Sequence, residues 1–180
     1  MQSFEQRENL MKKVALALFF ALFAYGAPSL AQDGTVLQKL KSRPELSQFT
    51  ALVEASEVSK TLAQGAGVYT VFAPSNKAMQ AINEVMMKRI RANKDSMHRF
   101  VGQHILAGSV LMESNLKGRQ VPLGSMTGDT MMIDGRAQPV QISGAKLVTS
   151  DLLAKDGVVH VIDTAILAAS LRESAAPAAA

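Results

Sequence analysis

The chain has 180 residues, 19 Lys+Arg against 15 Asp+Glu, a formal net charge of +4, and neither Cys nor Trp. Length and apolar content predict one globular domain stabilised by its own core, and the missing cysteine excludes disulfides, thiolate metal sites, iron–sulfur clusters and cysteine nucleophiles. The mild basic excess does not imply a nucleic-acid partner, and none is expected.

In chain order, Lys12-Lys13 precede an apolar run over residues 14–25, after which Ser29 and Ala31 supply small side chains. That order predicts a secretory signal peptide over residues 1–31, cleaved after Ala31, because the run is shorter than the roughly 20 residues a bilayer span needs. Glu5, Arg7 and Glu8 suit the start of such a peptide poorly, so Met11 is an alternative first residue. Removing residues 1–31 leaves 16 basic and 13 acidic groups, a net +3. The expected destination is the periplasm, cell surface or medium of a bacterium. The closing residues 173–180, rich in Ala, read as a frayed tail.

The domain expected over residues 32–172 opens with helical spacing. Val36, Leu37 and Leu40 form a face that Pro44 closes, and Leu46, Phe49, Leu52 and Val53 continue the periodicity. Residues 68–73 are β-branched and aromatic between Gly65-Ala66-Gly67 and Pro74, the pattern of a buried strand. Ser75 then reads as an N-cap for one helical stripe of Met79, Ile82, Val85, Met86 and Ile90. A further helix near Asp95 places Met97, Phe100, Val101, His104 and Ile105 on one face, with His104 inward and His98 toward water. The basic cluster Lys88-Arg89-Ile90-Arg91, with Lys94 and Arg99, lies where a helix is expected to end, and its cations complement that C-terminus. After Gly108, strands are expected at 119–123, 130–133, 140–142, 145–148 and 158–162, with hairpin turns at Asp134-Gly135 and Lys155-Asp156-Gly157 and with Pro122 and Pro139 at edges or bulges. Helices followed by strands give an α+β fold.

Catalytic signals are thin. His98, His104 and His160 have no ligand spacing, and no metalloprotease, nucleophile-elbow, phosphate-loop or calcium-loop motif occurs. Ser75, His104 and Asp151 could be assembled as a triad only by ignoring the capping task of Ser75. Met79, Met86 and Met97 fall on apolar faces, where methionine fills a core, so no cuprous site and no other metal or cofactor is expected.

Three segments carry a resemblance. Thr70-Val71-Phe72-Ala73-Pro74-Ser75-Asn76-Lys77-Ala78-Met79, Phe100-Val101-Gly102-Gln103-His104-Ile105-Leu106-Ala107-Gly108 and Gly157-Val158-Val159-His160-Val161-Ile162-Asp163 resemble, in order and spacing, the signatures of the fasciclin I domain family. The resemblance implies a single fasciclin-like domain, a β-sandwich-like wedge flanked by helices, in exported proteins of cell adhesion without catalytic activity. It implies scaffold roles for Thr70, Phe72, Pro74, Ser75, His160 and Asp163. It also implies partner contacts at His104 and at the Asp151-Leu152 pair, the latter read here as lying in a loop-like stretch. Gln103 stands where the family's animal members have a tyrosine, which removes an aromatic anchor. The resulting expectation is a monomeric, non-enzymatic module that binds a protein or polysaccharide at the cell surface or envelope through a loop-rich face. A periplasmic carrier of a small apolar ligand or lipid is the alternative, motivated by the methionine-rich core.

Overall fold

The computed structural model describes residues 34–168. The expected signal peptide at 1–31 and tail at 173–180 lie outside the described residues.

Chain entry is fixed by a capping box. Thr35 accepts from Gln38 N–H, and the Gln38 side chain returns to the Thr35 amide, opening α1 (Val36–Lys41). The buried Asp156 carboxylate accepts from Val36 N–H at 2.6 Å, placing negative charge at the positive end of the helix. Pro44 starts a short 3-10 turn (Pro44–Leu46), followed by α2 (Ser47–Ala55) and α3 (Val58–Gln64). The first strand, β1 (Tyr69–Pro74), is buried along its whole length.

The single stripe expected after Ser75 is two helices, α4 (Asn76–Gln80) and α5 (Glu84–Ala92). Asn83 breaks it: its side chain accepts from Met86 N–H at 2.8 Å, so it caps a new helix instead of continuing the old one. Val85 consequently turns outward and is 63% exposed. Asn93 repeats the device for α6 (Lys94–Gly102). His98, expected toward water, is half-buried.

The remaining elements are β2 (Ile105–Ala107), α7 (Glu113–Leu116), β3 (Gln120–Gly124), β4 (Thr130–Asp134), β5 (Gln141–Ile142), β6 (Ala145–Ala154) and β7 (Gly157–Ile162). They pair in the order β2-β1-β7-β6-β5-β4-β3, with β1 and β7 parallel and the other pairs antiparallel. Pro122 sits in the edge strand β3, where a missing N–H is harmless.

Asp134-Gly135 does not form the expected hairpin turn. Gly135 N–H donates to Arg119 O at 2.7 Å and Gly135 O accepts from Gly118 N–H, so the chain stays against the 118–119 segment and reaches β5 only through a loop. That loop contains Pro139, after a cis peptide bond from Gln138. The tight turn is Ser143-Gly144, with φ of 50° and 88° between the paired residues Ile142 and Ala145, as a two-residue primed turn requires. The Lys155-Asp156 turn joins β6 to β7 as expected.

Side chains of the central parallel pair serve two cores. Tyr69, Val71, Ala73, Val159 and Val161 face the helices with Leu40, Phe49, Leu62, Ile90 and Phe100. Phe72 and Ile162 face the other way, joining Leu106, Leu116, Met131, Ile133, Ile142 and Leu147 from the folded-over half of the sheet. The outcome is an α+β fold in which the sheet wraps into a wedge and the helices cover one side. Met79 and Met86 are buried in the core and Met97, half-buried, packs against it, in line with their expected role as fillers; Met131 is buried in the sheet-side core as well.

Gly157 begins β7 directly against β1: an added Cβ would lie 1.9 Å from Tyr69 O. Gly157→Ala should therefore push the parallel pair apart and destabilise the domain by about 3 kcal/mol or more. Urea unfolding would measure this, and a midpoint equal to the parent's would contradict the role assigned to the close approach.

Candidate functional site

Two of the family-motif residues, Thr70 and His160, the latter stacked on Phe72, converge on one surface segment that runs from residue 109, after β2, to residue 113 at the start of α7. On β1, the Thr70 hydroxyl donates to Ser109 O at 2.8 Å and accepts from Leu111 N–H at 2.9 Å, tying the segment down at two points. On the neighbouring β7, His160 Nε2 lies 2.7 Å from Leu111 O. Phe72 stacks on the His160 ring at 5.5 Å between centroids, as the Phe72–His160 register dictates.

Asp151 reaches the same segment from β6. Its carboxylate accepts from Glu113 N–H at 2.8 Å, capping α7, while its own N–H donates to His160 Nδ1 at 3.2 Å. These donors select the neutral tautomer of His160 that carries its proton on Nε2. Asp151 does not sit in a loop, as expected from sequence: it lies within the ten-residue β6, at an irregularity of the β6–β7 register between Thr149 and Leu152. Its φ of 59° is the left-handed conformation that aspartate tolerates better than most side chains. Leu152 is half-buried and packs against the helix-side core.

Three participants escaped the sequence reading. Glu113 accepts from the Ser150 hydroxyl and pairs with Lys117 at 3.0 Å, interactions that hold its carboxyl below the usual carboxylate range. Glu113 does not stand out in sequence because the four-residue α7 leaves no periodicity to read, and Ser150 is a lone serine within β6. Lys117 is likewise an ordinary surface lysine until the fold gives it a partner.

His104 belongs to a separate, interior position. It is fully buried, with Nδ1 at 2.8 Å from Phe100 O and Nε2 accepting from Ile166 N–H at 2.9 Å, between the rings of Phe49 and Phe100. It offers no surface to a partner; it fastens the end of α6 to the segment after β7. The preceding Gln103 is also buried, accepting from the Ser125 hydroxyl at 3.3 Å, so this position looks inward. Ser75 caps α4 through Ala78 N–H, Pro74 ends β1 opposite Ile162, and Asp163 accepts from Lys146 N–H at 2.8 Å to close the β6–β7 edge. Asn76, beside Ser75, ties α4 to Pro44 O and Gln48 N–H. Among the described residues, no three His, Asp or Glu side chains are grouped to hold a metal ion.

Burial pushes the His104 pKa down to about 4 against the raising effect of the Phe100 carbonyl, and burial also lowers that of His160 despite Leu111 O, Asp151 and Glu113. An unfolded chain, titrating near 6.5, therefore binds protons that the folded chain refuses between about pH 6.5 and 4. The stability from a neutral His104 should be present above pH 6.5 and drain away as pH falls through that window, by roughly 3 kcal/mol. Urea midpoints of the parent and of His104→Gln would show it: the parent should lose more stability than the variant from pH 7 to 4.5, and parallel curves would count against it. Thr70→Val should cost about 2 kcal/mol by orphaning the Leu111 amide. Hydrogen exchange should report that amide losing protection before its neighbours in β1 do.

Comparison with known proteins follows the same lines. The Fasciclin domain model matches residues 44–168. Transforming growth factor-beta-induced protein ig-h3 of Sus scrofa is 30% identical over 133 residues, covering 74% of this chain and 19% of that protein. Human periostin is 27% identical over 146 residues, covering 80% and 17%. Protein sll1483 of Synechocystis is 27% identical over 135 residues, covering 74% and 73%. The chain thus spans less than a fifth of the two vertebrate relatives and most of the Synechocystis one. A solved FAS1 domain pair from the insect cell adhesion molecule fasciclin I superimposes with a TM-score of 0.62 at 19% identity, over 77% of this chain and 52% of that one, which shows a shared fold. With the family model spanning both signatures and the segment between them, the chain belongs to the fasciclin domain family.

Proposed function

We propose that this fasciclin domain is a non-enzymatic interaction module that works outside the cytoplasm, at the periplasm, cell surface or in the medium. It would hold a protein or polysaccharide of the surface or envelope against the edge where the β6 irregularity meets residues 109–113. One observation carries the reading: Thr70, Phe72, His160 and Asp151 all act to fix a single surface segment in place. A segment ordered in advance loses little entropy when it docks, which is what a contact face needs. Leu152 supplies apolar area beside the part-exposed Asp151 carboxylate, and His104 supports the fold from within.

The groups a hydrolase would have to bring together are engaged separately. Ser75 is bonded to Ala78 N–H, His104 to Phe100 and Ile166, and Asp151 to Glu113 N–H. This supports binding over turnover. Beads coated with Gln32–Ala180 should bind isolated envelopes of producing cells saturably. Asp151→Asn/Leu152→Ala should weaken that binding about tenfold while the domain stays folded, since asparagine keeps both the left-handed backbone and a capping oxygen. Equal binding by parent and variant would remove this edge from the account.

A further inference from the structure

The charge of this chain is concentrated in one place. Residues 77–99 hold Lys77, Lys88, Arg89, Arg91, Lys94 and Arg99 against Glu84 and Asp95, a net +4 that equals the formal charge of the whole sequence. Everything outside that stretch sums to zero. Helix-terminus complementarity explains Arg89 and Arg91 in the last turn of α5. It does not explain Lys94, which opens α6 at the end where a cation is unfavourable and instead stands 3.8 Å from the Glu57 carboxylate.

Beside this concentration runs a groove of about 450 Å³ between α2, α4 and α5. Its apolar surface comes from Met79, Ile82 and Met87, and Lys88 and Arg91 stand exposed on its rim. Glu84, Met87, Lys88 and Arg91 stand at i, i+3, i+4 and i+7, so they form one stripe of α5. Glu84 is the acidic group on that stripe. Val85, 63% exposed, lies on the other flank of Lys88, about 160° around the helix from Met87. Cations beside apolar side chains on a helix surface match the layered chemistry of a lipid interface, with charge at headgroup level and methyl groups below it.

We propose that the α4–α5 face docks reversibly on an anionic phospholipid bilayer, with Lys88 and Arg91 on the headgroups and the half-buried Met87 and Ile82 at the acyl boundary. This surface is distinct from the β6 edge, so the domain could be held at a membrane while that edge engages its partner. An acidic polysaccharide would use the cations but leave the apolar groove without a task.

The test is sedimentation of Gln32–Ala180 with vesicles of equal parts phosphatidylglycerol and phosphatidylcholine in 0.1 M salt, with pure phosphatidylcholine vesicles as the neutral control. Binding should require the anionic lipid and fall as salt rises. Lys88→Gln/Arg91→Gln, which changes two exposed side chains, should weaken it about tenfold or more. Lys146→Gln/Lys155→Gln, with the same loss of net charge elsewhere, should leave it nearly intact. Met87→Gln should weaken it about threefold by removing apolar contact. The proposal is overturned by no binding to anionic vesicles, by equal losses in the two double variants, by an unchanged Met87→Gln, or by binding to immobilised heparin without binding to vesicles.

Discussion

The parallel pairing of β1 with β7 is the constraint on which the rest of the molecule depends. Six consecutive residues of each strand pair in register, and both strands are buried throughout. A strand covered on both faces must find apolar partners on each side, so the pair divides the interior into a helix-side core and a sheet-side core. The glycine at the start of β7 permits the approach of the two backbones, and Asp156 one residue earlier draws α1 onto the same corner.

Polar groups caught between these layers have to be satisfied, and their satisfaction orders the surface. Thr70 and His160 lie on the sheet-side face of the pair, where unbonded they would be costly. Their partners come from residues 109–111, so the segment that covers them is also the segment they hold rigid. Asp151 extends the arrangement to the start of α7. On the proposed reading, these signature residues need not touch a partner to matter for binding, because they shape the segment a partner would meet.

Much of this was legible in the sequence because it rests on local chemistry. The β1 run, the Ser75 cap, the inward His104 and the Lys155-Asp156 turn each follow from residue types within a few positions. The errors share a cause as well. The periodic stripe places Val85 in the core, since periodicity cannot show that Asn83 interrupts it with a cap. Dipeptide chemistry makes Asp134-Gly135 a turn, since it cannot show that Gly135 is bonded to residues 118 and 119. Composition puts Asp151 in a loop, since the irregularity in β6 is defined only by its register with β7.

By itself the sequence determined the α+β class, the family and the places where the chain must cap, turn or be buried, since these depend on side chains acting on their own backbone neighbourhood. Tertiary structure alone decided that Thr70, Leu111, Glu113, Asp151 and His160, spread over 91 positions of the chain, form one bonded group. It also decided that Met79, Ile82 and Met87 meet in a groove beside Lys88 and Arg91. Contacts between residues far apart in the chain arise from strand order and helix packing, and no local pattern encodes which distant residue will be opposite.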